Sequence, residues 1–199
     1  MNVSFRPLFL LVAGWGLAAA LALAFNLPRH TAPGVVPALV LLAAAALVVG
    51  LGRSETLRAP IRAVPTRALL AFNALRFVGG AFLWYAAQGQ VPTLFADRAG
   101  WGDIATAAGA LALLGWRGAP DWALWLWNSF GLLDLIVAVG TAGWLTFARP
   151  DSMVALTHFP LGLIPLWAVP MMLAVHAEVF RRLRATSDHA TTAAVGARG

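Results

Sequence analysis

Long apolar segments recur along the whole chain, and they constrain its fold more than any other feature of the sequence. A helix that crosses the hydrocarbon core of a bilayer needs about 20 mostly apolar residues. Hydrophobic residues make up 60% of the chain and charged residues only 11%, whereas a soluble domain carries about a quarter charged residues. Six segments approach or exceed the length of a crossing, at residues of about 8–27, 35–51, 68–87, 101–116, 122–145 and 156–180.

These segments predict an all-α fold, an integral membrane bundle of six transmembrane helices. The chain has room for one such bundle and for no separate soluble domain, so we predict a single transmembrane domain over residues 1–184. The remaining residues, 185–199, are rich in Ala and Thr and are predicted to form a disordered cytoplasmic tail.

The arginines predict the orientation of the bundle. All 14 basic residues are arginines, and the formal net charge is +6. With six spans, Arg29, Arg98 and Arg149 lie on one side. Ten arginines lie on the other side: Arg6, Arg53, Arg58, Arg62, Arg67, Arg117, Arg181, Arg182, Arg184 and Arg198. Because the excess of positive charge lies in the cytoplasm, both termini are predicted to be cytoplasmic. This placement between spans also argues against nucleic acid as a partner, and none is predicted.

The first segment has two interpretations. A short basic start with Arg6, an apolar run and the triplet Ala22-Leu23-Ala24 fit a cleaved signal peptide. The apolar run is longer than the hydrophobic region of a typical signal peptide, so we interpret the segment as an uncleaved span. Cleavage would leave the orientation of the other spans unchanged.

Two charged residues near the centres of spans are the strongest candidates for a functional site. With a rise of about 1.5 Å per residue, Arg76 in the third span and Asp134 in the fifth both lie within about 3 Å of the bilayer centre. An unpaired charge at that depth is costly, so the sequence predicts an Arg76–Asp134 ion pair where these two spans touch. On the same scale Asn73 and Asn128 lie about 7–8 Å toward the cytoplasm and His176 about 12 Å, which extends a polar column.

Two roles remain open for this column. Ionisable residues inside a membrane commonly line the path of a solute or an ion. They also act as interhelical hydrogen bonds that only determine which helices pack together.

Asp103 follows Gly100-Trp101-Gly102 at the predicted start of the fourth span. We predict that it is an N-cap that accepts hydrogen bonds from free N–H groups. The alternative is a ligand site at the outer end of this helix, where Gly102 permits close approach. Asp103 competes with Asp134 for Arg76, but its expected position near the outer surface favours Asp134 as the partner.

The histidines do not predict a cofactor. His158 and His176 lie eighteen residues apart, on one face of the sixth span at its two ends. Two haems would need a histidine from another span for each of them, but His30 lies in an outer loop and His189 in the tail. A haem with a single histidine ligand, or a metal at the outer rim, remains an alternative; the rim residues would be His30, Asp97, Asp103 and His158.

Other motifs are few. No Cys is present, which excludes disulfides and iron–sulfur ligation, and no motif of a zinc protease, serine hydrolase or nucleotide-binding loop occurs. Pro160, Pro165 and Pro170 recur at intervals of five residues in the sixth span. They are predicted to kink that helix and to free carbonyl groups for other hydrogen bonds.

Four groups of residues carry a resemblance to a known group of proteins: Arg76-Phe77-Val78-Gly79, Phe95-Ala96 with Gly102-Asp103, Trp127-Asn128 with Asp134, and Pro165, Pro170 and His176. With them, the chain from Arg67 to Arg184 resembles small multi-pass inner-membrane proteins of bacteria. The resemblance implies a bacterial inner-membrane location and a single six-helix unit, and it carries no activity.

The sequence therefore predicts a small transporter, channel or permease-like component, with the lipid bilayer and an unknown small molecule or ion as partners. The predicted binding residues are Arg76, Asp134, Asn73, Asn128, His176 and Asp103. One alternative is a membrane-embedded redox or hydrolytic enzyme that uses His176 or the outer rim. Another is a scaffold subunit of an oligomer or a larger membrane complex.

Overall fold

Helices make up almost all of the described chain. The structure, a computed structural model, describes residues 4–196, with side chains described as far as Thr186, and contains no strand in that range. The predicted all-α class is confirmed. The α-helices are α1 Arg6–Ala24, α2 Val35–Arg53, α3 Glu55–Ala63, α4 Thr66–Asn73, α5 Gly80–Ala87, α6 Thr93–Gly115, α7 Asp121–Ala148 and α8 Val169–Gly196. Three 3₁₀ helices, Leu27–His30, Ala74–Gly79 and Pro150–Thr157, and a π-helix, Ile164–Ala168, lie between them.

Four helical segments of the described chain are long and apolar enough to cross a membrane. They are α1, α2, the continuous segment Thr66–Ala87 that contains α4 and α5, and α7. Large apolar side chains on their outer faces are exposed, among them Phe9, Leu42, Leu133 and Phe147. Extended apolar surface of this kind is typical of contact with lipid.

The helix that contains the predicted fourth span, 101–116, begins eight residues earlier than predicted. Helix α6 begins at Thr93, directly after Pro92, because a proline at a helix start removes no N–H group that the helix needs. Gly100 and Gly102, which the sequence placed at a loop end, lie inside α6 because neighbouring side chains pack closely against them. The helix therefore includes three charged residues, Asp97, Arg98 and Asp103, and it does not have the composition of a simple apolar span.

The predicted sixth span, 156–180, is not one continuous helix. It consists of the end of a 3₁₀ helix, a turn, the π-helix and the first part of α8. Pro170 has no N–H group to donate to the carbonyl of Leu166, four residues earlier. The indole Nε1 of Trp15 in α1 donates to this carbonyl instead, at 2.9 Å, and Trp167 Nε1 donates in return to Val12 O at 3.1 Å. The predicted release of carbonyl groups by prolines is thus confirmed at Leu166.

Helix α6 lies between the third-span segment and α7. It packs against α4, the 3₁₀ helix Ala74–Gly79 and α5 on one side and against α7 on the other, while α8 packs against α2 and α7. The predicted contact between the third and fifth spans therefore occurs through side chains, because α6 is the main neighbour of both.

Arg182 connects the last helix, α8, to the end of α3 by hydrogen bonds. Arg182 donates to Glu178 Oε1 at 2.7 Å, and also to Ile61 O at 2.6 Å and Val64 O at 2.8 Å at the end of α3. The backbone of α8 is helical as far as Gly196. The side chains of most of the predicted tail, 185–199, lie outside the described residues.

Candidate functional site

Arg76 is the centre of a buried polar cluster. It lies in the 3₁₀ helix Ala74–Gly79, and none of its surface is exposed. Its Nε donates to Asp103 Oδ1 at 2.7 Å, and its Nη1 donates to Gly131 O at 3.0 Å. Its Nη2 donates to Asp134 Oδ2. One guanidinium therefore connects the third-span segment to α6 and α7 at once.

One of the two aspartates at Arg76 lies where the sequence predicted it, and the other does not. The predicted Arg76–Asp134 ion pair is present in the structure. The predicted position of Asp103 as an outer N-cap is wrong, because Asp103 lies inside α6 and is buried against Arg76. The early start of α6 explains the difference: eight additional residues move Asp103 about 12 Å along the helix axis, from the end of the helix toward its middle.

His176 completes the cluster from α8. Its Nε2 lies 3.2 Å from Arg76 Nη1, and its Nδ1 lies 2.8 Å from Asn128 Oδ1. Asn128 Nδ2 donates in turn to His176 O at 3.0 Å, so this asparagine holds both the ring and the backbone of the histidine. The imidazole ring also packs on Trp127, with ring centroids 5.4 Å apart.

His176 contacts Asn128, its neighbour in the predicted polar column, through its backbone as well as its ring. The sequence placed His176 about 12 Å from the bilayer centre, and that depth stays a prediction.

Glycines permit the close packing of the polar side chains. A Cβ atom at Gly102 would overlap the carboxylate of Asp134, and one at Gly79 would overlap Asp103. A Cβ atom at Gly131 would lie 2.8 Å from Thr106 Cγ2 and would also overlap the ring of His176. At each of these three positions, a side chain of a neighbouring element occupies the space that a Cβ atom would need, so only glycine fits there without a shift.

Asn73 does not join the cluster by a hydrogen bond. Its Nδ2 donates to Leu69 O at 3.0 Å, within its own helix, and the residue is completely buried. Its Oδ1 has no hydrogen-bond partner among the described residues. The other predicted asparagine, Asn128, does belong to the cluster.

Two of the residues considered for an alternative metal site at the outer rim have other contacts. Asp103 is bound to Arg76, and His158 Nδ1 lies 2.9 Å from Val154 O in its own segment. Within the described part of the chain, no three His, Asp or Glu side chains come close enough together to hold a metal ion.

A cavity of about 330 Å³ lies beside the C-terminal half of α7. Its lining includes the charged side chains of Arg29 and Asp151 as well as apolar residues of α2 and α7. Val139 is the lining residue of α7 nearest in sequence to Asp134, and five residues correspond to about 7.5 Å along the helix axis.

Comparison with known proteins gives one match, to a protein family described as Domain of unknown function (DUF8737), over residues 33–184. The chain belongs to this family. No curated protein and no solved structure matches the chain. The DUF8737 region includes every member of the Arg76 cluster, while α1 lies outside it.

Sequence reasoning missed three residues of this DUF8737 site: Gly131, Thr106 and Trp127. Trp127 Nε1 donates to Thr106 O at 2.9 Å, which fixes the indole between α6 and the ring of His176. A sequence signal for Gly131 existed, because it lies three residues from both Asn128 and Asp134 and so shares their helix face. Thr106 gave no comparable signal.

Proposed function

We propose that this DUF8737 protein is a small transporter of the bacterial inner membrane, in which the Arg76 cluster is a charge-paired gate. One observation carries the proposal: Arg76, Asp103 and Asp134 are buried together inside a largely apolar bundle. Charged residues inside membrane helices are rare because they are costly, and they commonly mark the path of a solute or an ion.

The proposed topology has six crossings, with both termini in the cytoplasm. The four apolar segments supply four crossings, and α6 and the segment that leads into α8 supply the other two. Asp103 and Thr106 in the middle of α6 are buried, while Asp97 and Arg98 near its start are exposed. This pattern is compatible with a crossing whose charged start lies near the membrane surface. The distribution of arginines, ten against three, supports the orientation.

Breaks in the helices supply the flexibility that a gate requires. Arg76 lies within the 3₁₀ helix Ala74–Gly79, and His176 follows the π-helix Ile164–Ala168. Such interruptions of α-helix often occur at functional sites and hinges. In the proposed mechanism, the segments on either side of these breaks tilt, and the ion pairs of Arg76 separate to open a path.

The cavity near Arg29 and Asp151 would be the vestibule of this path. It ends about 7.5 Å short of Asp134 along the axis of α7.

Transport is tested with the purified full chain in proteoliposomes on a solid-supported membrane. Amino acids, organic acids, sugars and monovalent cations are applied one class at a time, and charge movement is recorded. We expect at least one class to give a signal that Asp134→Asn abolishes and that Asp97→Asn preserves, since Asp97 is exposed on α6. The absence of a signal from every class, or copurification of the chain with a stoichiometric partner protein that is required for its stability, would contradict the proposal and favour a scaffold role.

A further inference from the structure

The charges of the Arg76 cluster do not balance. Four helical elements meet there, and each contributes one titratable side chain: the third-span segment Arg76, α6 Asp103, α7 Asp134 and α8 His176. Two carboxylates thus share one guanidinium. The remaining question is whether His176 supplies a second positive charge.

The hydrogen bonds of His176 indicate that it is neutral. A guanidinium has only donors, so Arg76 Nη1 can contact His176 Nε2 favourably only if that nitrogen accepts. The single ring proton then lies on Nδ1, where Asn128 Oδ1 accepts it at 2.8 Å. Asn128 is fixed in this orientation because its Nδ2 donates to His176 O. A protonated imidazole would instead direct an N–H group at the N–H groups of Arg76.

With both carboxylates ionised, the cluster would carry one uncompensated negative charge in the interior of the bundle. A buried charge without a partner is far more costly than a neutral group, and such a group takes up a proton instead. Two carboxylates that share one site behave in the same way, since their mutual repulsion prevents both from ionising.

We propose that Asp103 and Asp134 together hold one exchangeable proton, and that this proton is the ion coupled to transport. The second half of the proposal rests on the proposed function, while the first rests only on the contacts of the cluster. When the gate opens, the O–H bond of the protonated carboxyl breaks and the proton passes to water. When the gate closes, a proton from water on the other side restores the neutral cluster.

A metal cation fits this position less well than a proton does. The guanidinium of Arg76 already binds both carboxylates and would repel a second cation. A cation would also need several oxygen ligands, and the described residues form no group of three or more acidic or histidine ligands.

The proton has a route of exchange on the carboxylate side of the cluster. The side chain of Arg76 has no exposed surface, whereas the side chains of Asp103 and Asp134 are 10% and 7% exposed. The two carboxyl groups are therefore the members of the ion-paired set that are not fully enclosed, and in the proposed mechanism they exchange the proton with water when the gate opens.

Infrared spectroscopy of the full chain in lipid vesicles tests the bound proton without any measurement of transport. A protonated carboxyl group has a C=O stretch separate from the carboxylate bands, and it shifts in D₂O. We expect this band at neutral pH in the unaltered protein. We expect its loss in Asp103→Asn and also in Asp134→Asn, because either variant leaves one carboxylate paired with Arg76. Asp97→Asn is the matched control on α6 and should retain the band.

Each outcome decides between the two parts of the proposal. Absence of the band in the unaltered protein, or its persistence in both cluster variants, overturns the bound proton. If the band is present and a transport signal occurs that does not depend on a pH gradient, the proton is bound but is not the coupled ion. If the band is present and no solute class gives any transport signal, the proton is bound and the transporter proposal fails. If transport occurs without the band, the transporter stands and proton coupling at this cluster is wrong.

The unfolding temperatures of the aspartate variants give a second test of the bound proton, which is independent of the infrared band. An asparagine imitates the neutral, protonated state of an aspartate, so each single variant should unfold within a few degrees of the unaltered protein. The double variant Asp103→Asn/Asp134→Asn leaves Arg76 without a counter-ion, and it should unfold at a much lower temperature than either single variant. Unfolding of both single variants at the temperature of the double variant would show that both carboxylates are ionised in the resting state.

Discussion

Arg76 Nε and Asp103 Oδ1 lie 2.7 Å apart and join the third-span segment to α6 in the middle of the bundle. With this contact the two ion pairs of Arg76 join three helical elements, whereas the Arg76–Asp134 pair alone would join only two, and His176 adds α8 as the fourth. It also creates the excess of carboxylates over guanidinium groups on which the bound proton depends. The stability of the bundle should therefore be sensitive to the balance of charges at this point.

Removal of Arg76 alone should be more damaging than removal of all three charges. Arg76→Met leaves two carboxylates and the acceptors Gly131 O and His176 Nε2 without their donor, and breaking such a buried ion pair costs about 3–5 kcal/mol. The triple variant Arg76→Met/Asp103→Asn/Asp134→Asn should recover a large part of this loss. Thermal unfolding in detergent measures the difference.

The same variants separate transport from packing. If the cluster is a gate, the triple variant should be folded and inactive in proteoliposomes. Full transport by the stable triple variant would show that the charges only determine how the helices pack.

Gly102→Ala should destabilise the bundle, because the new methyl group would overlap the carboxylate of Asp134. Overpacking of this kind costs about 1–3 kcal/mol. Gly140→Ala in α7 is the matched control, since a Cβ atom there would meet no other atom within 4 Å and the better helix propensity of alanine contributes up to about 1 kcal/mol. Equal unfolding temperatures for the two variants would argue against the close approach of α6 and α7.

Trp15→Phe should weaken the attachment of α1 to the π-helix. The indole of Trp15 is the donor to Leu166 O, whose usual donor is missing at Pro170, and the loss of one such hydrogen bond costs about 0.5–1.5 kcal/mol. In a Pro170→Ala background the cost should be smaller, because alanine restores a backbone N–H group near that carbonyl. Trp144→Phe serves as the control, since its side chain is exposed; a loss of the same size there would indicate a general effect of removing a tryptophan.

Arg182→Lys should weaken the packing of α8 against α3 even though it keeps the positive charge. Arg182 donates to two backbone carbonyls, Ile61 O and Val64 O, and to Glu178, and one ammonium group cannot reach all three. We expect a loss of about 1.5–3 kcal/mol, the range for hydrogen bonds to charged groups. Hydrogen exchange of the α3 amides should rise with it. Arg184→Lys on the exposed side of the same helix should change neither quantity, and an equal effect there would contradict a specific contact.

Some of the site was predictable from the sequence because it follows from the free-energy cost of burying a single charged residue in an apolar environment. A charge at the middle of an apolar segment needs a partner, and Arg76 and Asp134 were the two charges at similar depth. Depth could be counted for Asp134 because α7 runs unbroken from the aromatic residues at its start. Asn128 followed for the same reason, since it lies six residues from Asp134 in the same continuous helix.

The direct contacts of Asp103 and His176 with Arg76 could not be predicted in this way, because they depend on where helices begin and how they are interrupted. Pro92 is a local signal for the start of α6 at Thr93, but Gly100 and Gly102 within the helix are local signals for a loop, and only the tertiary structure shows the close contacts that these glycines permit. The π-helix before α8 is stabilised by Trp15, 151 residues away from the carbonyl that it binds.

The sequence by itself determined that the chain is helical, that it carries segments apolar enough to cross a membrane, and that Arg76 needs a buried acid. These properties follow from composition, length and the cost of a single charge in an apolar environment. Only the tertiary structure decided that Arg76 has two acids and a neutral histidine as neighbours. That arrangement arises because glycines let four helical elements approach closely enough for their polar side chains to meet, and contacts between distant parts of a chain are not encoded in any one of its segments.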